Sequence, residues 1–90
     1  MAGYRLLIKP SAVKELEAVG TKQDRQRIVR RIESLADEPR PPGSEKLAGT
    51  AALYRVRQGH YRVIYAVDDA RRTIEIVKVG HRREVYRGAT

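Results

Sequence analysis

The order of local sequence patterns predicts an α+β fold, β-α-α-β-β-β, with two N-terminal helices packed on one face of a mainly antiparallel four-stranded sheet. Three observations support this prediction. Residues 4–9 alternate with the period of two that is typical of a strand. Residues 11–36 show a helical period that is interrupted at Gly20. The Pro-rich segment 39–43 opens a linker that runs through Lys46 and Gly49, and three β-rich runs then follow one another as in an antiparallel meander.

Capping residues delimit the two helices. Ser11 is a suitable N-cap for the first helix, in which we expect Val13 and Leu16 to face the core. Thr21 and Asp24 form a Thr-x-x-Asp variant of the capping box at the start of the second. The inward face of that helix comprises Ile28, Val29, Ile32, Leu35 and Ala36. Its outer face comprises Arg25, Arg30, Arg31 and Glu33. We interpret this outer face as a solvated surface, since carboxylates dilute its positive charge. The alternative is that this basic helix binds phosphate.

Length and charge limit the classes of protein to be considered. Ninety residues are enough for one domain, which we expect to span residues 1–90. The chain has 19 Lys and Arg against 11 Asp and Glu, a formal net charge of +8. This charge indicates an anionic partner such as nucleic acid, or simply a well-solvated surface. Residues 54–87 hold nine of the basic and four of the acidic residues, so most of the excess lies there.

Several kinds of site and location are disfavoured by residue content. Without cysteine there are no disulfides and no thiolate metal ligands, which fits a reducing cytoplasm. Two histidines, His60 and His81, do not suffice for a metal site, and we expect neither a metal nor a small-molecule cofactor. No apolar run approaches the length of a membrane span, so we expect no contact with a membrane. Arg5 and Lys9 interrupt the N-terminal apolar residues before a signal peptide develops.

The hairpin predicted around Gln58 and Gly59 concentrates arginines on one face. With the turn centred there, opposed residues have numbers that sum to 117, so Arg55 faces Arg62. Alternation assigns the core face to Tyr54, Val56, Tyr61, Val63, Tyr65 and Val67, and the other face to Arg55, Arg57, His60 and Arg62. No carboxylate in these strands is placed to neutralise Arg55 and Arg62, and a bound polyanion would relieve their repulsion. The alternatives are that the arginines spread into water or guard an edge strand against aggregation.

The segment after Gly80 adds further candidates: His81, Arg82, Arg83, Tyr86 and Arg87. Adjacent cations favour the phenolate of Tyr86, which makes this residue a candidate general base. The alternative is that Tyr86 only anchors the C-terminus to the core. His81 is the second candidate for proton transfer, or else a solvated loop residue. Arginines with a tyrosine and a histidine suit the cleavage of RNA, because the substrate's own 2′-hydroxyl is the nucleophile.

Four short segments carry a resemblance to a known family: residues 46–49 (KLAG), 54–57 (YRVR), 59–65 (GHYRVIY) and 79–86 (VGHRREVY). In their order and spacing they resemble the RelE/ParE superfamily of bacterial type II toxins, and more closely its RelE branch. The resemblance covers nearly the whole chain. It implies a RelE-like fold and a metal-independent mRNA endonuclease that enters the ribosomal A site and cleaves by 2′-hydroxyl attack, leaving a cyclic phosphate and a 5′-hydroxyl.

The resemblance also implies roles for individual residues. It places Arg62 on the scissile phosphate and Arg82 at the transition-state charge or at protonation of the leaving group. It makes Tyr86 the general base, with His81 as a substitute. The residues expected to bind RNA are Arg55, Arg57, His81 and Arg83. Arg55 and Arg57 stand where well-studied members have a pair of lysines, so positive charge is kept but a proton-shuttling lysine is absent.

Partners and alternatives follow from the same resemblance. It implies a cognate antitoxin whose extended segment wraps the domain in a heterocomplex, in addition to the ribosome and mRNA. A ParE-like toxin that inhibits DNA gyrase is one alternative, since the run Tyr61–Tyr65 is common to both branches. The tail at 80–86 favours the RelE branch. A non-catalytic nucleic-acid-binding module, in which arginines contact phosphates only, is the other alternative.

Overall fold

The computed structural model of the chain describes residues 3–47 and 52–81. Within these residues the chain forms two helices and five strands. They are β1 (Arg5–Ile8), α1 (Pro10–Glu17), α2 (Lys22–Ser34), β2 (Glu45–Lys46), β3 (Leu53–Gln58), β4 (Tyr61–Asp68) and β5 (Thr73–His81). The predicted α+β class is confirmed, with one strand more than predicted, because β2 forms in the segment that was expected to be a linker.

The strands form a single sheet in the order β1-β5-β4-β3-β2. β1 runs parallel to β5, with Arg5 beside Thr73 and Ile8 beside Ile76. The remaining neighbours are antiparallel, so β3, β4 and β5 form the predicted meander. The first strand of the chain therefore lies at one edge of the sheet and the short strand β2 at the other.

Helix α1 begins two residues earlier than predicted. Lys9 is its N-cap and Pro10 occupies its first turn, where the missing N–H of proline costs nothing. As a result Ala12 is fully buried while Val13 is 38% exposed, so the expectation that Val13 faces the core is wrong. Leu16 packs against the core as predicted.

Helix α2 buries Ile28 and Ile32 as predicted, whereas Val29, which was expected on the inward face, lies on the outer surface beside Arg25 and Arg30. The side chain of Thr21 accepts a hydrogen bond from the Asp24 amide at 3.1 Å, which satisfies one orphan donor of the first turn. Both helices bury apolar side chains in one core against the same face of the sheet. That core includes Ala12, Ile28, Ile32, Leu35, Val56, Val63, Tyr65, Val67, Ile74, Ile76 and Val79. Neither helix of the described residues has the length and apolarity needed to cross a membrane.

The β3–β4 hairpin differs from the predicted register by two residues. Gln58 pairs with Tyr61, so Gly59 and His60 form the turn, and paired residues have numbers that sum to 119. Gly59 has a φ of +60°, a conformation that glycine adopts without strain. Because a shift of two residues preserves the side-chain faces, the predicted separation of tyrosines and valines from arginines survives. His60 leaves the arginine face and lies in the turn.

Strand β5 is irregular near its C-terminal end. Ile64 pairs with Lys78 and Tyr65 with Ile76, which leaves Val77 as an extra residue in the ladder. Beyond the end of β1, helix α1 takes over the edge of β5. There the Glu15 carboxylate accepts hydrogen bonds from the Val79 amide at 3.1 Å and from Lys78 Nζ at 2.9 Å.

Candidate functional site

A cleft of about 500 Å³ lies at the edge of the sheet, beside the start of β2. We call it the basic cleft. It is lined by Arg31, Gly43, Glu45, Arg55, Arg57 and Arg62. The lining carries four guanidinium groups and one carboxylate, a formal net charge of +3. The cleft is thus an anion-attracting surface in the part of the chain that the structure describes.

Three elements build the walls of the basic cleft. The hairpin supplies Arg55 and Arg57 from β3 and Arg62 from β4, while Arg31 comes from α2. Glu45 pairs with Arg55 in the β2–β3 ladder, so the residues before Glu45 continue alongside the second half of β3. Gly43 is among them and has a φ of +91°, which lets the chain turn beside the cleft.

Arg57 and Arg62 are direct cross-strand partners. Like charges opposite one another destabilise a sheet, and within the described residues neither guanidinium forms an ion pair with a carboxylate. The Nη1 atom of Arg62 donates to the backbone carbonyls of Tyr61 and Gly59, at 3.2 and 3.5 Å. The structure therefore has a cross-strand pair of arginines as predicted, but its members are Arg57 and Arg62 rather than Arg55 and Arg62.

Arg55 has a carboxylate partner that the sequence pattern did not reveal. Its guanidinium forms a short ion pair with Glu45 of β2. The prediction that no carboxylate neutralises Arg55 concerned the hairpin strands β3 and β4 only, and the partner comes instead from β2, in the segment that was expected to be a linker. Glu45 gives the basic cleft a negatively charged side chain that is two-thirds exposed.

Arg31 also departs from its predicted position. It was expected on the solvated outer face of α2, but its side chain is partly buried and lines the basic cleft. Its Nε atom is buried and has no hydrogen-bond partner among the residues that the structure describes. Arg25, Arg30 and Glu33 do lie together on a different surface of α2, as predicted. The sequence spacing could have predicted that Arg31 lies near the core face, because it follows buried Ile28 by three residues.

His81 lies outside the lining of the basic cleft. It borders a second hollow of about 420 Å³ on the α1 side, together with Tyr61 and Glu15. The His81 ring stacks on His60 at 6.0 Å between centroids and meets the ring of Tyr61 edge-on at 5.8 Å. The structure therefore brings together Arg55, Arg57 and Arg62 and leaves His81 with an aromatic cluster nearby.

Three of the predicted site residues, Arg82, Arg83 and Tyr86, lie outside the described residues. Their predicted roles stay predictions. Metal ligands were not expected, and within residues 3–47 and 52–81 no three His, Cys, Asp or Glu side chains form a group able to hold a metal ion.

At the opposite end of the hairpin, four side chains form what we call the anchoring network: Tyr4, Arg40, Tyr54 and Asp69. Arg40 donates to both carboxylate oxygens of Asp69, at 2.7 and 3.3 Å, and to the Tyr54 hydroxyl at 3.0 Å. The Tyr4 hydroxyl donates to Asp69 at 2.6 Å. The hydrogen bonds from Arg40 and Tyr4 hold the pKa of Asp69 below its ordinary value, and the bond to Asp69 raises the pKa of Tyr4.

Tyr65 ties the segment after α2 to the sheet. Its ring is fully buried, and its hydroxyl donates to the Pro39 carbonyl at 2.7 Å. Burial raises the pKa of this phenol, although hydrogen bonding with Ser44 opposes the shift. Because Gly43 and Glu45 follow closely along the chain, the hydrogen bond from Tyr65 to Pro39 helps to fix one wall of the basic cleft.

The sequence and fold were compared with known proteins. Residues 6–86 match the family model described as ParE toxin of type II toxin-antitoxin system, parDE. Toxin RelG of Mycobacterium tuberculosis (strain ATCC 25618 / H37Rv) is 36% identical over 53 residues, which cover 59% of this chain and 61% of RelG. Toxin RelE of the same strain is 27% identical over 84 residues, 93% of this chain and 87% of RelE.

A solved structure shows the same similarity in three dimensions. The archaeal RelE–RelB complex from Pyrococcus horikoshii OT3 contains a chain that superimposes with a TM-score of 0.80 and 35% sequence identity. The match covers 92% of this chain and 99% of that one. Similarity to RelE toxins thus extends over nearly the whole chain in both sequence and fold.

Proposed function

The chain belongs to the ParE toxin family of type II toxin–antitoxin systems, within the RelE/ParE superfamily, and on this premise we propose that it is an mRNA endonuclease. In this proposal it acts in the ribosomal A site without a metal ion and so inhibits translation. The observation that carries the proposal is the basic cleft, in which four guanidinium groups accompany a single carboxylate. Its relatives in sequence are RelE and RelG toxins, which supports the RelE branch.

The charge of the basic cleft suits phosphodiester chemistry. As the 2′-hydroxyl attacks, the phosphorus centre gains negative charge on its nonbridging oxygens, and preorganised cations stabilise that charge. Guanidinium groups donate paired hydrogen bonds in a plane that matches phosphate oxygens. Arg57 and Arg62 lie opposite each other and lack carboxylate partners among the described residues, so a bound phosphate relieves their repulsion.

The proposed reaction balances without a co-reactant. The 2′-oxygen bonds to phosphorus and its proton passes to Tyr86, or to His81 as a substitute base. The bond from phosphorus to the 5′-oxygen breaks, and that oxygen takes up a proton. Arg62 holds the scissile phosphate, while Arg82 stabilises the transition-state charge or protonates the leaving oxygen. The products are a 2′,3′-cyclic phosphate and a 5′-hydroxyl.

The proposed partner is a cognate antitoxin. The archaeal RelE chain that this fold matches was solved as a complex with RelB. We propose that an extended antitoxin segment wraps this domain and covers the basic cleft, so that carboxylates of the antitoxin replace RNA phosphates there. Mixing the two purified proteins before adding RNA tests this, because the antitoxin then abolishes cleavage.

The decisive experiment combines the purified protein with programmed ribosomes and maps the 5′ ends of the mRNA. We expect cleavage by the wild type in the A-site codon and its loss in Arg62→Ala and Tyr86→Phe. Arg30→Ala is the matched control, since it removes one arginine from the outer surface of α2. Cleavage that persists in both site variants contradicts the proposed site.

Inhibition of DNA gyrase is the second candidate, because the family model that matches is named for ParE. A gyrase supercoiling assay separates the two functions. Inhibition of supercoiling with intact mRNA in the ribosome assay favours the ParE-like function. Salt-dependent RNA binding without product in either assay instead favours a non-catalytic binding module.

A further inference from the structure

Helix α2 contributes to the basic cleft an arginine to which nothing so far assigns a function. We infer that Arg31 binds a backbone phosphate of the RNA, in addition to the phosphate held by Arg62. This inference rests on the proposed function, since it takes RNA as the ligand. It is carried by two observations: Arg31 lines the basic cleft, and its Nε–H is buried without an acceptor.

A second feature of Arg31 is its buried Nε–H, which has no acceptor among the described residues. A buried donor without an acceptor is rare in folded proteins, because the hydrogen bond to water has been lost and not replaced. The one carboxylate in the lining, Glu45, is already paired with Arg55. A phosphate in the cleft accepts hydrogen bonds from the guanidinium group of Arg31 and neutralises its charge.

The position of Arg31 distinguishes it from the other arginines of the cleft. Arg55, Arg57 and Arg62 all belong to the hairpin, whereas Arg31 belongs to a helix on the other face of the sheet. The cleft therefore has cationic groups on walls from two separate elements. A nucleic-acid backbone that passes through it is held from both walls, which fixes its path as well as its affinity.

A test of this inference measures binding of a single-stranded RNA in which 2′-deoxy nucleotides block cleavage. Fluorescence anisotropy at a series of salt concentrations gives both Kd and its salt dependence. We expect Arg31→Ala to bind about tenfold more weakly than the wild type, which is the loss of one charge-assisted hydrogen-bonded contact. The slope of log K against log salt should fall in magnitude by about 0.7, as for one phosphate contact on a single strand.

Arg30→Ala is the matched control, because it changes the net charge equally but lies on the outer surface of α2. Its salt slope should equal that of the wild type. Arg31→Lys should give an intermediate affinity, since lysine keeps the charge and loses the planar fork. Equal affinity and slope for Arg31→Ala and Arg30→Ala overturn the inference.

A second measurement uses the wild-type protein, so its result does not depend on whether a variant folds. The Nε–H signal of Arg31 in a nitrogen-15 NMR spectrum of the wild type should shift on addition of the RNA. An unchanged signal at saturating RNA overturns the inference. If the wild type binds RNA and Arg62→Ala weakens binding while Arg31→Ala behaves as the control, only this inference fails. If the wild type does not bind the free RNA, this inference fails, and the ribosome cleavage assay decides separately whether the proposed function holds.

Discussion

The two ends of the β3–β4 hairpin use arginine in opposite ways. At the end near the β4–β5 turn, Arg40 makes a bidentate pair with Asp69, and its guanidinium lies 5.1 Å from the centre of the Tyr54 ring. At the other end, Arg57 and Arg62 face each other across the strands. The first arrangement satisfies its cation within the protein, while the second leaves cations without a carboxylate among the described residues.

The contrast distinguishes arginines that stabilise the fold from arginines that are available to bind an anion. A neutralised arginine that also packs on a ring contributes to the folded state. Opposed arginines work against folding and are expected to gain stability when an anion binds. Residue type and exposure therefore do not distinguish the two classes of arginine, whereas the presence of a carboxylate partner does. The following predictions test that contrast.

The largest effect is expected for the double variant Arg57→Ala/Arg62→Ala. Removing a single preorganised donor typically costs about 100- to 1000-fold in rate, so mRNA cleavage should fall at least 1000-fold with both gone. The melting temperature should stay the same or rise, because the cross-strand repulsion is removed. Arg40→Ala should show the reverse: normal cleavage, and a melting temperature lower by roughly 4 °C. A large loss of stability in the double variant would contradict the contrast.

Tyr65→Phe should have the next largest effect, on stability. It removes the buried hydrogen bond to the Pro39 carbonyl, at a cost of about 1 kcal/mol, or roughly 4–8 °C in the melting temperature of a domain this size. Calorimetry measures the change. Tyr61→Phe is the control, because the Tyr61 hydroxyl makes no hydrogen bond to the described residues. Equal melting temperatures for the two variants would show that the hydrogen bond from Tyr65 to Pro39 does not stabilise the folded state.

Glu45→Gln should strengthen RNA binding. It removes the carboxylate that pairs with Arg55 in the basic cleft, and exposed ion pairs are worth at most about 1 kcal/mol, so affinity should rise by up to about fivefold. The gain should diminish as salt screens the cleft. Anisotropy at low and high salt measures it, with Glu33→Gln as a control outside the cleft. Weaker binding by Glu45→Gln would mean that the carboxylate positions Arg55 for RNA.

The smallest effect is a dependence of stability on pH. Since Arg40 holds the pKa of Asp69 below its ordinary value, the carboxylate stabilises the folded state above its unfolded pKa of about 4. That contribution is lost as the pH falls through the folded pKa. Asp69→Asn should therefore melt below the wild type at pH 7, and the difference should vanish at acid pH. Thermal melts from pH 3 to 7 check this, with Asp37→Asn as the control; a gap that persists in acid contradicts it.

The sequence predicted the elements with strong periodicity and missed those without it. Both helices show the apolar spacing of about 3.6 residues that is typical of an α-helix, and the three meander strands show the alternation of a β-strand, so all five were predicted. The hairpin faces were correct although the register was not, because an error of two residues returns every side chain to its own face. Strand β2 has only two residues, in a segment rich in Pro and Gly, and two residues are too few to show the alternation of a strand. For this reason the pairing of its Glu45 with Arg55 was not predicted.

The candidate site was predicted in part. Arg55, Arg57 and Arg62 share a cleft, as their alternation indicated. Arg31 was predicted on the outer surface of α2 because it was grouped with the other charged residues, without regard to its spacing from the apolar residues of the helix. It lies three residues after Ile28 and four before Leu35, both buried, and this spacing puts it at the margin of the core face. The roles of Arg82, Arg83 and Tyr86 rest on family resemblance and stay predictions.

The parallel pairing of β1 with β5 has a consequence for folding. Arg5 lies beside Thr73, so the pairing closes a loop of 68 residues. The entropy of that loop is lost before the new contacts stabilise it, which slows folding relative to a local hairpin. β1 therefore has no partner strand until β5 has been synthesised. Folding of the toxin should accordingly lag behind the synthesis of β5 by the time that this strand takes to pair with β1.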